Sequence, residues 1–177
     1  MPLVLIEKVT NTTDKDALQD LVKSIAASLS ALGGEPVEFF FGKDMQIVYT
    51  VVEAESKVAV QTGLTKAQIS YDDVSLVRIV GATVEEVRQR SKEANYLVEW
   101  DIPAEITMDK YLQRKQERAP LYANVPETTF LRTYVREDMM KCLCLYDAPD
   151  DDAVKRAREA VGTPIDRLTR IGTIENE

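Results

Sequence analysis

The stretch of sequence that decides the fold is Lys141-Cys142-Leu143-Cys144-Leu145-Tyr146-Asp147-Ala148-Pro149-Asp150-Asp151-Asp152-Ala153-Val154. It predicts a buried strand, an abrupt stop at the proline, and a helix whose first turn carries acidic side chains that suit the helix dipole. A similar pattern occurs over residues 47–55, where Ile-Val-Tyr-Thr-Val-Val is followed by Glu-Ala-Glu. This repetition predicts that the chain contains two copies of one folding unit.

Both halves of the chain predict the same order of elements. The strands expected in the first half are residues 3–9, 37–41, 45–52 and 74–80, and those in the second half are 96–102, 130–135, 140–146 and part of 165–174. In the first half, one helix is expected to begin at Thr13 as its N-cap and a shorter one to stop near Gly63. In the second half, helices are expected over 108–119 and 150–162. The order strand-helix-strand-strand-helix-strand is that of a ferredoxin-like domain.

The two halves align with an offset near 94, as in Lys43-Asp44-Met45 against Glu137-Asp138-Met139. We therefore divide the chain into a first repeat, residues 1–82, a linking helix within 83–95, and a second repeat, 96–177. A ferredoxin-like unit has helices on one face of its sheet, so the other face needs a cover. The predicted fold is α+β, with two tandem ferredoxin-like repeats packed sheet to sheet as an intramolecular dimeric α+β barrel.

Composition excludes several classes of function. The chain has 177 residues and a net charge of -8, which argues against nucleic acid or a membrane as partner. It contains no histidine, the usual general base and the commonest transition-metal ligand, so we predict neither a metal site nor a cofactor. Two cysteines, two positions apart on one strand, are expected to be free thiols, which indicates a cytoplasmic protein. A small-molecule ligand and self-association stay open.

Strand alternation places candidate polar residues on the two faces of the sheet. Glu99 shares a face with Leu97, and Glu7 occupies the matching place in the first repeat. Both carboxylates are expected on the barrel side. Alternation does not decide which face Arg132 and Tyr134 take.

The strand in the opening stretch also divides into two sets. We expect Leu143 and Leu145 to face the helices, which turns Cys142, Cys144 and Tyr146 toward the barrel interior. In the first repeat, valine and threonine stand where the two thiols and the tyrosine stand in the second. Any site is therefore expected to be asymmetric and built on the second repeat.

These side chains predict a small site inside the barrel. The candidate ligand-binding residues are Glu7, Glu99, Arg132, Cys142, Cys144 and Tyr146. A buried carboxylate beside a tyrosine can act as a general base, so the candidate catalytic residues are Glu99, Tyr146 and Tyr134. The structural alternative is that the two glutamates pair with arginines and the cysteines act as small buried hydrophobes. The charged stretch 110–118 is expected to be a solvated helix face.

The second half also resembles a known family. The residues that carry the resemblance are Tyr134-Val135, Cys144 to Asp150, Ala153-Val154, Gly162-Thr163-Pro164 and Glu99. Over residues 96–174 the chain resembles the small nickel-binding, ferredoxin-like proteins, a domain family otherwise of unknown function. The family usually carries a histidine three residues after the Ala-Val pair, where this chain has Ala157, so no metal ligand is carried over.

Three functions follow from these observations. The first is a non-enzymatic small-ligand-binding or interaction protein that uses the barrel interior. The second is a cofactor-free isomerase, cyclase or monooxygenase-like enzyme that uses Glu99 with Tyr146 or Tyr134, which requires an enclosed cavity of about 300 Å³. The third is a transition-metal protein, as in the nickel-binding family.

Overall fold

The computed structural model describes residues 1–90 and 93–174, which form a closed barrel with helices on its outside. The strands are β1 Leu3–Val9, β2 Glu35–Gly42, β3 Ile47–Glu53, β4 Asp73–Val80, β5 Tyr96–Asp101, β6 Thr129–Arg136, β7 Lys141–Asp147 and β8 Arg167–Ile174. The helices are α1 Lys15–Ser30, α2 Lys57–Lys66, α3 Val84–Arg90, α4 Met108–Arg118 and α5 Asp151–Ala160, and a 3-10 helix, Ala119–Asn124, follows α4. The predicted α+β class is confirmed.

The barrel closes in the order β1-β3-β2-β8-β5-β7-β6-β4, with antiparallel neighbours throughout. Strands of the first half lie side by side as β4-β1-β3-β2, and strands of the second half as β8-β5-β7-β6. The halves join at two seams, where β2 pairs with β8 and β4 pairs with β6. Each half thus covers the exposed strand edges of the other, which leaves the described strands without a free edge.

Apolar side chains form three layers, because most strands bury side chains on both of their faces. The barrel interior contains apolar residues from both halves, among them Leu5, Phe40, Val51, Leu97, Leu143 and Leu145. A second cluster lies between the first-half strands and α1 and α2. A third lies between the second-half strands and α4 and α5. Val87 of α3 packs with the interior cluster, so this helix covers part of the barrel.

Two local predictions in the first half are wrong. The N-cap of α1 is Asp14, whose carboxylate accepts from the Asp16 amide at 3.0 Å, and not Thr13. Helix α2 runs through Gly63 to Lys66. A Cβ at Gly63 would lie 2.8 Å from Leu32 Cδ1, so this glycine permits close packing beside α1 instead of ending a helix.

The linking helix expected within residues 83–95 begins at Val84, directly after a capping box. The Thr83 hydroxyl accepts from the Glu86 amide at 3.2 Å, and the Glu86 carboxylate accepts from the Thr83 amide at 3.3 Å. Of the predicted segments, residues 91 and 92 of the linker and residues 175–177 of the second repeat lie outside the described residues.

Candidate functional site

Strand β7 carries two buried sets of side chains, and the faces predicted for them are wrong. Leu143 and Leu145 lie in the barrel interior. Cys142, Cys144 and Tyr146 lie on the outer face of the sheet, beneath α4 and α5. Alternation separates the two sets, but it cannot tell which layer each one faces when both layers are apolar.

The reversed faces divide the predicted site. Glu99 lies on the barrel side of the sheet, whereas Tyr146 lies on the helix side, so the two cannot act together as a base and a phenol. The structure brings the predicted residues into three separate clusters: Arg132 with Tyr134, Glu7 with Glu99, and Cys142 with Cys144 and Tyr146.

The first cluster is an ion pair buried inside the barrel. Arg132 donates to both carboxylate oxygens of Glu38, from Nε at 3.0 Å and from Nη2 at 2.5 Å. The Tyr134 hydroxyl donates to the same carboxylate at 2.5 Å. Burial, with the Glu38 charge beside it, raises the pKa of Tyr134 well above its ordinary value. Arg132 and Tyr134 therefore face inward, and their hydrogen bonds are directed to one partner.

Glu38 was not among the predicted site residues, although the sequence holds a signal for it. It is the only charge within Val37-Glu38-Phe39-Phe40-Phe41, and its side chain is fully buried. A buried carboxylate needs a cation as its partner. Because this segment contains no cation, the partner must come from another strand. That partner stands 94 positions later in the chain, and the fold alone brings it close.

The second cluster joins Glu7 and Glu99 through one lysine. Lys141 Nζ donates to Glu7 at 2.7 Å and to Glu99 at 2.9 Å, and Arg167 Nε reaches the other oxygen of Glu99 at 3.0 Å. Burial raises the pKa of Glu7 above its ordinary value, although Lys141 opposes this shift. Both carboxylates are engaged in ion pairs, which is the arrangement expected of structural residues.

The third cluster lines a pocket between the helices and the outer face of the second-half sheet. The pocket has a volume of about 30 Å³, enough for about two water-sized groups. Its lining residues are Trp100, Tyr111, Arg114, Lys115, Arg118, Ala119, Tyr122, Cys142, Cys144, Arg158, Val161 and Thr163. We call this space the thiol pocket.

The thiol pocket is strongly cationic. Arg114, Lys115, Arg118 and Arg158 line it, and no carboxylate is among the described residues that do so. Burial, followed by the charges of Arg118 and Arg158, lowers the pKa of Arg114. Arg114 and Arg118 also donate to the Gly162 carbonyl at 2.7 and 2.9 Å, close to the end of α5, so part of this charge stabilises a helix terminus.

Three residues that line the thiol pocket each have one buried polar atom without a hydrogen-bond partner. These atoms are the Tyr111 hydroxyl, Arg114 Nε and Arg158 Nε, half of the six such side-chain atoms in the described residues. The Tyr111 hydroxyl lies beside the Cys142 thiol without a hydrogen bond of acceptable geometry. Leaving buried donors unpaired costs free energy, so a polar group that enters the cavity would gain hydrogen bonds there.

The sulfur of Cys144 is surrounded by donors. Thr133 Oγ1 donates to it at 3.1 Å, Arg158 Nη1 lies at 3.6 Å and Lys115 Nζ at 3.9 Å. The Cys142 sulfur lies 4.0 Å away, and both cysteines are free thiols. Such surroundings favour the thiolate over the thiol.

The sequence contained a signal for part of this pocket. Val154, Ala157, Arg158 and Val161 follow one another at helical spacing and are all buried, so the arginine lies on the apolar face of α5. The expectation that 110–118 is a solvated face is wrong for Arg114, Lys115 and Arg118, because they fold over the pocket. Their exposed neighbour Lys110 fits the expectation.

The second half of the chain matches a known family. Residues 96–171 match the family model described as Nickel responsive protein SCO4226-like. This confirms the resemblance predicted from the Cys144–Asp150 motif and its neighbours. No curated protein matches the chain.

Solved structures resemble the chain over nearly its whole length, and the first of those below shares its fold. A crystal structure described as a candidate chlorite dismutase, TA0507, has a TM-score of 0.56 at 13% identity, over 98% of this chain and 94% of that one. A candidate monooxygenase from Fusobacterium nucleatum has a TM-score of 0.45 at 12% identity, over 99% and 94%. One from Lactobacillus acidophilus has a TM-score of 0.47 at 13% identity, over 97% and 92%. At such identities the likeness concerns the fold alone.

Among the described residues, none of the helices combines the length and the apolar character that a membrane span requires.

The residues of the matched half do not fit a nickel ion. The described part of the chain contains no group of three or more histidine, cysteine, aspartate or glutamate side chains that could hold a metal. The two thiols lie beside Lys115 and Arg158, whose charges oppose a dication. We therefore derive no chemistry through nickel.

Proposed function

We propose that the protein binds a small anion in the thiol pocket. The observation that carries the proposal is the coincidence of four cationic side chains with three unpartnered buried polar atoms around one small cavity. An anion would reduce the mutual repulsion of the cations and accept hydrogen bonds from the unpaired donors.

The size and walls of the pocket define the ligand class. A volume of about 30 Å³ suits an anion of a few non-hydrogen atoms, or the anionic end of a larger molecule. Trp100 and Tyr111 supply an aromatic wall, and the Arg114 guanidinium lies 5.4 Å from the centre of the Trp100 ring. This wall can pack against a short apolar part of the ligand.

The proposal keeps the ligand-binding hypothesis and moves its site. The barrel interior is packed with apolar side chains and two ion clusters, whereas the pocket holds unsatisfied polar atoms. An enzyme that uses Glu99 with Tyr134 or Tyr146 is disfavoured, since these side chains already have other partners: Lys141, Glu38 and Tyr122. A nickel-binding role is disfavoured by the cations.

We further propose that the chain is a tandem duplication of a ferredoxin-like unit, with repeats at 1–82 and 96–177. Glu38 follows a register shift in β2 and pairs with Val51, while Arg132 follows one in β6 and pairs with Leu145. Glu38 and Arg132 are separated by the 94-residue offset, and so are Val51 and Leu145. Identical repeats would place like charges together at this point, so the ion pair is the kind of change that divergence after duplication permits.

The free thiols support a cytoplasmic location.

Fluorescence of Trp100 tests the anion proposal directly, because it is the only tryptophan in the chain and it lines the pocket. The protein is titrated with formate, chloride, phosphate or sulfate, at an ionic strength kept constant with gluconate, whose anion is too large for the cavity. We expect a saturable change for at least one of the small anions. The same anion should raise the midpoint of thermal unfolding, since at 100 times its Kd it stabilises the fold by about 2.7 kcal/mol.

A pair of variants on one helix supplies the matched control. Arg114→Gln should raise the Kd of the anion about tenfold, because it removes a charged donor worth roughly 1.5 kcal/mol. Lys110→Gln makes the same charge change on α4 at an exposed position outside the pocket, and should leave the titration unchanged. Equal weakening by both variants, or the absence of saturation with every anion, would refute the proposal.

A further inference from the structure

We propose that Cys144 is a reactive thiolate at the wall of the thiol pocket and that small hydroperoxides oxidise it to a sulfenic acid. The inference deepens the proposed function, since it assigns a reaction to the same pocket. It does not require that the bound anion and the peroxide be the same molecule.

Geometry identifies which of the two thiols carries the charge. The Cys144 sulfur has Thr133, Arg158 and Lys115 within 4 Å, at 3.1, 3.6 and 3.9 Å. The Cys142 sulfur shares none of these three contacts among the hydrogen bonds of the described residues, and its neighbour at 4.0 Å is Cys144 itself. A hydroxyl and two cations around one sulfur stabilise the deprotonated form.

The direction of the pKa shifts agrees with this geometry. Hydrogen bonding from Cys142, reinforced by the charges of Lys115 and Arg158, lowers the pKa of the Cys144 thiol well below its ordinary value, although burial opposes the shift. The pKa of Cys142 is raised, chiefly because its thiol is the donor to Cys144 and also because it is buried. Cys142 therefore stays protonated beside a thiolate.

Lys115 is held in place by aromatic rings. Its Nζ lies 4.6 Å from the centre of the Phe130 ring and 5.7 Å from that of Tyr111. These cation–π contacts keep the charge near the sulfur without a carboxylate that would neutralise it. Cys144 thus faces a fixed positive charge.

The pocket also provides a place for the peroxide. Cys144 has only 1% of its surface exposed, but it is a lining residue of the cavity, so a molecule of two or three heavy atoms can reach its sulfur through that space. Tyr111 and Arg158 line the same cavity, and their hydroxyl and guanidinium groups can donate hydrogen bonds to peroxide oxygens. Charged donors near the sulfur stabilise negative charge that develops on the departing oxygen.

The reaction balances without a cofactor. An electron pair of the Cys144 thiolate attacks the terminal oxygen of the hydroperoxide, and an S–O bond forms as the O–O bond breaks. The departing oxygen carries away the electron pair and takes a proton from water, which leaves hydroxide and yields an alcohol, or water when the oxidant is hydrogen peroxide. The sulfur is oxidised by two electrons to a sulfenic acid, and the peroxide is reduced by two electrons.

Trapping of the sulfenic acid tests the inference. The full-length protein is treated with hydrogen peroxide and dimedone, and the labelled residue and its rate are determined by peptide mass spectrometry. In Cys142→Ser, which retains a hydroxyl donor beside Cys144, we expect labelling at Cys144 at least tenfold faster than labelling at Cys142 in Cys144→Ser. The rate should depend on pH with a midpoint below the ordinary thiol value of about 8.5.

Two lysine variants distinguish a thiolate that Lys115 stabilises from a thiol that is only buried. Lys115→Gln should move the midpoint of the pH profile upward and slow the reaction at neutral pH, because it removes a cation 3.9 Å from the sulfur. Lys110→Gln, with the same charge change outside the pocket, should leave the profile in place.

Three results would overturn the inference: equal rates for the two cysteines, a midpoint at or above the ordinary value, or labelling that occurs only in urea concentrations that unfold the chain. Each can arise while Trp100 still reports saturable anion binding. In that case the proposal of a reactive thiolate is refuted and the proposal of an anion site is retained, so the two proposals are tested separately.

Discussion

The buried ion pair inside the barrel allows a quantitative test of the fold. In Arg132→Met, the carboxylate of Glu38, which is fully buried, keeps only the Tyr134 hydroxyl as a partner among the hydrogen bonds described above. Removing one member of a buried pair leaves an uncompensated charge and typically costs about 3–5 kcal/mol. For a chain of this length each kcal/mol lowers the unfolding midpoint by about 2–4 °C, so we expect a fall of roughly 6–20 °C.

Replacing the whole cluster should remove that cost. With Glu38→Leu, Arg132→Met and Tyr134→Phe combined, no charge and no unpaired hydroxyl is left at this point in the barrel. Buried ion pairs replaced by apolar groups of similar volume are often neutral or more stable by about 1–4 kcal/mol. We therefore expect the free energy of unfolding of the triple variant to lie within about 1 kcal/mol of that of the parent protein, or above it.

Urea unfolding followed by Trp100 fluorescence and by circular dichroism measures these free energies, and agreement of the two signals checks that unfolding is two-state. Arg78→Met is the control, since the side chains of its 3.1 Å salt bridge to Glu137 are 46% and 39% exposed, and this pair should be worth less than about 1 kcal/mol. A cost below about 1 kcal/mol for Arg132→Met, or a triple variant as unstable as the single one, would refute the reasoning.

Three further predictions concern stability and use the same urea assay. Because burial raises the folded-state pKa of Glu7 above its ordinary value of 4.5, the stability of the parent protein relative to Glu7→Gln should rise as pH falls from about 7 toward 4.5; a fall over that range would contradict this. Asp150→Ala should cost about 1 kcal/mol, since it removes the N-cap of α5, whereas Asp152→Ala should cost less than half as much; equal costs would show that the cap is unimportant. Asn95→Ala should cost about 1–3 kcal/mol because the amide bonds both the carbonyl and the N–H of Ala148, at 2.7 and 3.0 Å, and no measurable loss would mean that water replaces both bonds.

The matched family and the structure of the pocket differ in an informative way. Residues 96–171 match a family described as nickel responsive, yet the corresponding half of this chain surrounds its thiols with lysine and arginine. Cations around a thiolate favour an anion or an electrophile over a metal ion.

The sequence by itself determined the order of the elements and most of their ends. Local periodicity identified β1, α4 and β7, and short-range hydrogen bonds, such as those of Thr83 with Glu86, determine where helices begin. The motif around Cys144 identified the family whose model matches the second half. These features depend on neighbours within a few residues, which are readable along the chain.

Only the tertiary structure decided which side of β7 faces the barrel and which residues meet there. Leucine on one face and cysteine with tyrosine on the other are equally suited to burial, so a strand that is covered on both faces carries no sign of its orientation. Glu38 and Arg132 lie 94 residues apart, and β2 and β6 bring them together only when the barrel closes. The thiol pocket likewise arises where α4 and α5 pack over one sheet, because its charges come from helices and its sulfur atoms from a strand.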